Sequence, residues 1–331
     1  MISLKQLRYF TAVARYAHFG KAAEACNVTQ PALSMQVREL ETGLGLKLFE
    51  RRQQGAQLTD AGREILERAK KILTAVRDMN DFAHHHEQVL TGRLRLGVIP
   101  SLAPYILPPL LPAMRDRYRD LDLRVRETLT ESLVDELVDG QLDVLLLALP
   151  IEHPEIVTQD LFEDRFLLAA PTGWRNEPAA AEAPASLDLL EGGRLLLLED
   201  GHCLRDQALA FCQLRQIDTL DTFGASSLST IVQMVANGMG LTLLPEISLG
   251  VEARHGDVQV IPFETPEPSR TVGLAWRASS PRTRDFEALG AMISAVAPRR
   301  RADGPHGPHD RNRRTGGPRA GRRPSARSGR T

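Results

Sequence analysis

The chain has 331 residues, 42% hydrophobic and 25% charged, enough apolar content for one large or two to three ordinary globular domains and too much for a chain disordered throughout. Lys plus Arg number 41 and Asp plus Glu 42, a formal charge of -1 that hides an uneven distribution. Residues 299–331 hold eleven Arg against two Asp and residues 1–60 hold eight Lys/Arg against five acids, so a basic amino-terminal module precedes an acidic body, as expected of a protein with a polyanionic partner.

The opening MISLKQLRYF lacks the basic-then-apolar order of a signal peptide, and no run approaches the ~18 apolar residues that a membrane span needs. A soluble, cytoplasmic protein with no membrane partner is expected. From Leu4 to Phe19 the apolar positions Leu4, Leu7, Phe10, Val13, Ala14 and Ala17 recur at helical steps, predicting one helix that Gly20 ends. A short Ala-rich helix over Lys21 to Cys26 follows, then a turn at Asn27 and Val28. Thr29 can cap a second helix with Pro31 in its first turn. On that helix Leu33, Val37 and Leu40 fall on one side and Pro31, Ser34, Met35 and Arg38 on another. One side can pack, while the other is free to enter a DNA major groove as flanking cations neutralise phosphate. Lys47 to Leu58 reads as two short extended runs around Gln53-Gln54-Gly55, with Arg51 and Arg52 beside the turn, as in a winged hairpin. By spacing alone, a small helical bundle with solvated charge is the alternative.

The run AAEACNVTQPALSMQVRELETGLGLKLFERRQQGAQLTDAG, Ala22 to Gly62, closely resembles the amino-terminal domain of the LysR-type transcriptional regulators, and the resemblance extends from about Ser3 to Val296. It implies an α/β multidomain protein. Residues 1–60 would be a winged helix-turn-helix and 61–90 a long linker and dimerisation helix. Residues 91–298 would be a two-lobed α/β effector domain like a periplasmic binding protein. Promoter DNA is the implied partner, with Gln30, Pro31, Ser34 and Arg38 at the groove and Arg52 supporting from the wing.

After Thr59, which can cap a further helix, Ile65, Ala69, Ile72, Val76, Met79 and Ala83 follow at steps of 4, 3, 4, 3 and 4. This heptad seam predicts a helix paired with a second copy of itself, which suits a two-fold protein reading two half-sites. The alternative is that the stripe packs on its own domain. His84, His85 and His86 cannot share one helix face, so they read as a solvated helix end and no metal site is expected.

From Gly92 short apolar runs alternate with helical stretches: Leu94 to Ile99, Leu121 to Val125, Leu142 to Leu149, Leu195 to Leu198 and Val272 to Trp276. Such runs predict parallel sheets covered on both faces, with ligands beyond the carboxyl ends of the strands. Those ends present Ser101, Glu127 to Thr130, and Glu199 to Arg205. The family resemblance implies lobe I at about 91–163 and 268–298 and lobe II at about 164–267, joined by crossings near Glu163 and Pro268. Gly238, Gly240 and Pro245, in VANGMGLTLLPE, resemble a helix-to-strand stretch of the second lobe.

The most informative segment is LLEDGHCLRDQALAFC, Leu197 to Cys212. Gly201 allows a turn, and Leu204, Ala208 and Phe211 continue at helical spacing. Cys203 would then sit at a helix amino end, where the dipole, Arg205 and an imidazolium at His202 all favour a thiolate. If the stretch stayed helical, nine steps of ~1.5 Å would hold the Cα atoms of Cys203 and Cys212 roughly 13 Å apart, against the ~7 Å limit for a disulfide. Joining them therefore requires unwinding. By spacing alone, two cysteines in a cytosolic chain are more often inert and buried, and three in all, with Cys26, are too few for a disulfide framework. Cys26, in the turn of the DNA-reading unit, reads as a packed thiol.

GHCLRDQA followed by FC closely resembles the sensor loop of the hydrogen-peroxide-responsive branch of the LysR family. That resemblance implies that Cys203 is the peroxidatic thiol and Cys212 the resolving one, joined in a reversible disulfide. His202, Arg205 and Asp206 would surround the thiolate, Ser101 (where the branch commonly has Thr) and Thr130 would hydrogen-bond peroxide, and Asp143 and Arg270 would complete the pocket. It further implies RNA polymerase and a glutaredoxin or thioredoxin-type reductant as partners, a homodimer or homotetramer, and no cofactor. Two competing readings are a LysR regulator induced by a small carboxylate or aromatic, and an enzyme, a thiol peroxidase. The basic amino-terminal reader speaks against the enzyme. The tail over 299–331, rich in Arg, Gly and Pro without large apolar residues, is expected to be disordered.

Overall fold

The computed structural model describes residues 1–52, 55–84, 88–174, 183–186, 194–212, 225–254 and 256–297, with the side chains of Arg51, Arg52, His84 and Cys212 outside the description. The expected hairpin tip at Gln53-Gln54, the histidines 85 and 86 and the Arg-rich tail therefore lie outside the described residues.

The chain opens with three helices, α1 (Leu4–Tyr16), α2 (Phe19–Ala25) and α3 (Gln30–Leu44). Ser3 and Gln6 cap α1 reciprocally. The expected single helix to Gly20 is corrected: Ala17 takes a left-handed conformation (φ 48°), and His18 Nδ1 accepts from the Gly20 and Lys21 N–H groups to start α2. Gly20 thus lies inside the second helix. Thr29 precedes α3 without a side-chain cap bond, and Pro31 occupies its first turn. Leu33, Val37 and Leu40 are buried against Phe10, Val13 and Leu48, while Gln30, Pro31 and Arg38 are exposed and Ser34 is half-buried. Strands β1 (Phe49–Arg52) and β2 (Gly55–Leu58) form an antiparallel hairpin, anchored where the Ala56 N–H donates to the Ala17 carbonyl at 2.9 Å.

Helix α4 (Asp60–His84) starts at Thr59, whose hydroxyl accepts from the Gly62 N–H at 2.9 Å. Its apolar stripe divides. Ala69 is buried and Ile65 half-buried against the core of the first three helices, whereas Ile72 (47% exposed) and Met79 (66%) face outward and Val76 is half-buried. The opposite side of α4 is fastened to the next domain by Lys70–Asp139 at 2.9 Å, Arg277–Asp78 at 2.9 Å, and a bond from Arg77 to the Gly140 carbonyl.

Strands β3 (Gly92–Val98), β4 (Leu121–Glu127) and β5 (Val144–Leu149) are parallel in the order β4-β3-β5, with crossover helices α5 (Ala103–Arg117) and α6 (Thr130–Val138). Leu145, Leu146 and Leu147 of β5 are fully buried, which is why this strand reads as a continuous apolar run. The all-parallel expectation is corrected beyond β5. Strand β9 (Ser269–Arg277) runs antiparallel to it, and β6 (Ile156–Pro171) antiparallel to β9, because both cross between lobes directly rather than through a helix. The first half of β6 pairs with β9 and its second half with β7 (Thr242–Pro245) and β8 (Val258–Pro262), so one strand serves both lobes. The lobes meet where the Phe166 N–H donates to the Pro268 carbonyl at 2.7 Å. The second lobe adds α7 (Cys203–Cys212), α8 (Leu228–Ala236) and α9 (Leu249–Glu252), and α10 (Thr283–Val296) packs on the first. Leu195 to Leu198, expected as a strand, makes isolated bridges from Leu195 to Leu241 and from Leu198 to Ala225. Among the described residues no helix is long and apolar enough to cross a membrane.

Gly140 makes the α4 junction possible. Its φ is +69°, and a Cβ there would stand 2.6 Å from the Thr74 hydroxyl. Gly140→Ala is therefore expected to cost more than about 1 kcal/mol, from strain plus the clash, in urea unfolding of the full chain. Unchanged stability would mean that α4 is not seated there.

Candidate functional site

Two strand ends, the bridged segment Leu195 to Leu198 and three helix amino ends meet at one point. β3 leads through Ile99-Pro100-Ser101 into α5, β4 leads to Thr130 at the start of α6, and Gly201-His202 precede Cys203, the first residue of α7. Ser101, Thr130, Gly201, His202 and Cys203 line a single cavity, closed on its apolar side by Ile99, Leu129 and Leu204. The space open to a water-sized molecule within it is about 10 Å³, near the minimum that admits one water. Helix amino ends present unpaired N–H groups and favour negative charge, so a thiolate or a departing hydroxide is well placed among them. Gly201 permits the turn that aims α7 at the cavity: its φ is +91°, and a Cβ there would lie 3.1 Å from Leu129.

The polar groups differ in what they can offer. Ser101 Oγ accepts from Arg270 Nη1 at 2.9 Å, which leaves its own proton free to donate. The Ser101 carbonyl accepts from Nη2 of the same guanidinium at 3.3 Å. Thr130 Oγ1 is buried, with no hydrogen-bond partner among the described residues, so a small molecule in the cavity would satisfy it. His202 is buried, and that burial pushes its imidazole down from its ordinary value against the weaker pull of Glu199. The expected imidazolium is thus corrected: the neutral ring is favoured, able to donate or accept but not to supply charge.

Other expected members lie elsewhere. Arg205 does not line the cavity; its Nη1 donates to the Leu198 carbonyl at 3.2 Å and its Nε pairs with Asp200 at 3.0 Å. Asp206 is exposed on α7. Asp143 precedes β5 at the amino end of the parallel strands, opposite the cavity, and accepts from the Arg95 backbone at 2.8 Å and from its Nε at 3.0 Å. The acid beside Arg270 is Asp164, whose Oδ2 accepts from Arg270 Nε at 3.0 Å. Burial pushes the Asp164 carboxyl up against the opposing pull of Arg270 and of the Ile247 N–H, which donates to Oδ1 at 3.0 Å. Removing one partner of such a buried pair costs about 3–5 kcal/mol.

Arg270 also lies over the Phe166 ring, 5.8 Å from its centroid, and Phe166 in turn holds Phe211 at 5.2 Å between centroids. Phe211 directly precedes Cys212. Both cysteines thus sit at the ends of one ten-residue helix whose far end is held to β6, the strand common to both lobes, by a tilted pair of rings. Asp164 and Phe166 escaped sequence reasoning, which read Phe211 only as an apolar position of the helix. Asp164 and Arg270 are brought together only by the antiparallel register of β6 on β9, which no local spacing reveals. Cys26, by contrast, is a half-buried free thiol far from this site in sequence, and burial pushes it up against the opposing charge of Arg8.

Two family models match the chain: the bacterial regulatory helix-turn-helix of the lysR family over residues 4–63, and the LysR substrate binding domain over residues 87–298. The chain is 37% identical over 294 residues to the DNA-binding transcriptional dual regulator OxyR of Escherichia coli K12, covering 89% of this chain and 95% of that protein. It is 43% identical over 298 residues to a probable hydrogen peroxide-inducible genes activator of Streptomyces viridosporus, covering 88% and 93%. Among solved structures it is similar to a full-length OxyR of Pseudomonas aeruginosa carrying a cysteine-to-aspartate substitution, with a TM-score of 0.74 and 37% identity over 90% of this chain and 97% of that one. A hydrogen-peroxide-bound cysteine mutant of Corynebacterium glutamicum OxyR matches with a TM-score of 0.59 and 35% identity, covering 89% and 94%.

The neutral state of His202 sets a testable sign. A histidine whose value is lowered on folding binds fewer protons folded than unfolded, so its contribution to stability falls as pH drops through the unfolded value of ~6.5. Urea midpoints of the parent should therefore fall relative to His202→Gln between about pH 7.5 and 5.5. A parent midpoint that rises relative to His202→Gln as pH drops would contradict the neutral ring.

Proposed function

Because this chain belongs to the LysR family of transcriptional regulators, in its OxyR branch, we propose that it is a DNA-binding regulator that senses hydrogen peroxide through a reversible Cys203–Cys212 disulfide. The observation that carries this reading is the Cys203 cavity: a thiol, a free Ser101 proton and an unsatisfied Thr130 hydroxyl around a space that admits a water-sized molecule. The same volume argues against a carboxylate or aromatic inducer, because small-molecule sites are typically ~300–1,000 Å³.

In this mechanism the Cys203 thiolate attacks one peroxide oxygen, the O–O bond breaks, and hydroxide leaves, taking a proton to become water as Ser101 and Thr130 stabilise its charge. The sulfenic acid on Cys203 is then attacked by the Cys212 thiol; the S–S bond forms and the second oxygen departs as water. Closing that bond requires α7 to unwind and Phe211 to leave Phe166. The strain reaches β6, the strand shared by both lobes, and its partner β9, and changes how the domains pack. A dithiol reductant of the glutaredoxin or thioredoxin class restores the two thiols.

On the DNA side, α3 offers Gln30, Pro31, Ser34 and Arg38 to the major groove, and the β1–β2 hairpin serves as the wing with Arg52. The outward stripe of α4, Ile72 and Met79, with Val76 beside it, serves as the dimer seam, while Ile65 and Ala69 belong to the protein's own core. Assembly as a homodimer or homotetramer, recruitment of RNA polymerase and a cytoplasmic location complete the reading.

The deciding experiment maps thiols and DNA footprints before and after stoichiometric peroxide, in the parent and in Cys203→Ser. The parent should form the disulfide and shift its footprint, and the variant should bind DNA without responding; a full response in the variant would refute the mechanism. Thr130→Val should slow sulfenic acid formation by roughly tenfold, the loss of one charge-assisted hydrogen bond, with DNA binding of the reduced form intact. Phe211→Ala should leave that first step unchanged and accelerate disulfide closure, read by stopped-flow and quenched mass spectrometry; slower closure would mean that the contact between the two rings does not restrain Cys212.

A further inference from the structure

We infer that a cluster of arginines between α1, α4 and the edge of the first lobe is a binding site for a compact polyanion of the pyrophosphate type, separate from the Cys203 cavity. Arg15 of α1, Arg77 of α4, Arg95 of β3, and Arg124 and Arg126 of the edge strand β4 line one open cavity of about 560 Å³, with Glu136 as the carboxylate in its lining.

The charges there are only partly neutralised. Glu136 faces Arg126 at 3.3 Å, Asp143 accepts from Arg95 at 3.0 Å and Asp122 pairs with Arg124 at 2.8 Å. Arg77 donates to the Gly140 carbonyl, and Arg15 lies over the Tyr16 ring. The Gly140 carbonyl also accepts from Arg95 Nη1 at 3.0 Å, so two guanidinium groups meet on one oxygen. Burial, and then the like charge of Arg95, pull Arg77 below the usual arginine range against the opposing pull of Asp143 and Asp81. Like charges converging from four elements are relieved by a multiply charged anion between them.

The geometry suits phosphate oxygens, which guanidinium forks bind bidentately. A single phosphate would leave most of the cavity unfilled. The apolar lining is limited to Val125 and Leu142, with no aromatic ring to stack a base, so the recognised chemistry is the phosphate chain itself. An anion touching α1 and α4 together with β3 and β4 binds best when those elements are adjacent, and so holds the DNA-reading domain against the first lobe.

The phosphate could be free or part of the DNA backbone, and one set of titrations separates the two. The reduced full-length protein is titrated calorimetrically with sodium pyrophosphate at constant ionic strength, beside chloride and sulfate controls. Expected is saturable binding of about one per chain, below about 1 mM. Arg124→Ser with Arg126→Ser should weaken it at least tenfold; both side chains are more than half exposed, so folding is preserved. Arg77→Met provides a second, independent loss. A flat titration, or binding unaltered in both variants, overturns the proposal. So does a flat titration accompanied by tenfold weaker binding of the double variant to its selected DNA site, which would assign the cluster to the DNA backbone.

Discussion

Nine helical steps separate Cys203 from Cys212 along α7, and at ~1.5 Å per step their Cα atoms stand roughly 13 Å apart, about twice what a disulfide tolerates. As long as α7 is intact, Cys203 can be oxidised but cannot be joined to its partner. Chemistry at one thiol and the shape of the second lobe are therefore coupled by geometry alone. A pair of cysteines already in contact would oxidise without moving anything.

What translates that coupling is the position of Arg270. One guanidinium bonds the Ser101 hydroxyl at the cavity, pairs with Asp164 on the strand shared by both lobes, and lies over the ring that holds Phe211. Buried charges are costly unless paired and hydrogen-bonded, so this group cannot shift alone. Moving Phe211 disturbs Phe166, and with it the crossing of β6 and β9. The hinge is thus built into the same few side chains that support the thiol, and α4 is clamped to the first lobe by Arg77, Asp78 and Lys70 on the far side of that sheet.

Much of this was legible in the sequence because it is local. Leu33, Val37 and Leu40 announce the packed face of α3, the leucine run of β5 announces a buried strand, and Gly201 before Cys203 announces the turn into α7. Pairings across long separations were not legible. Asp143 looked a suitable acid for the pocket, but it stands at the wrong end of its strand, while Asp164 reaches Arg270 through a register 106 residues apart in the chain. His202 looked like a charge donor until its burial was known, and Arg205 like a pocket residue until the Leu198 carbonyl claimed it. The heptad stripe on α4 was read as one seam, yet Ile65 and Ala69 lie over the core of α1 to α3 and Ile72 and Met79 do not. Periodicity identifies a face and cannot say which neighbour covers each part of it.

The most direct test of the central claim is hydrogen–deuterium exchange of residues 203–212, followed alongside disulfide mapping through one equivalent of peroxide. The account predicts that α7 amides are protected in the reduced protein and lose protection in step with formation of the Cys203–Cys212 bond, then regain it on reduction. Formation of that bond with α7 protection unchanged would show that the helix is not the barrier, and would contradict the coupling of oxidation to refolding.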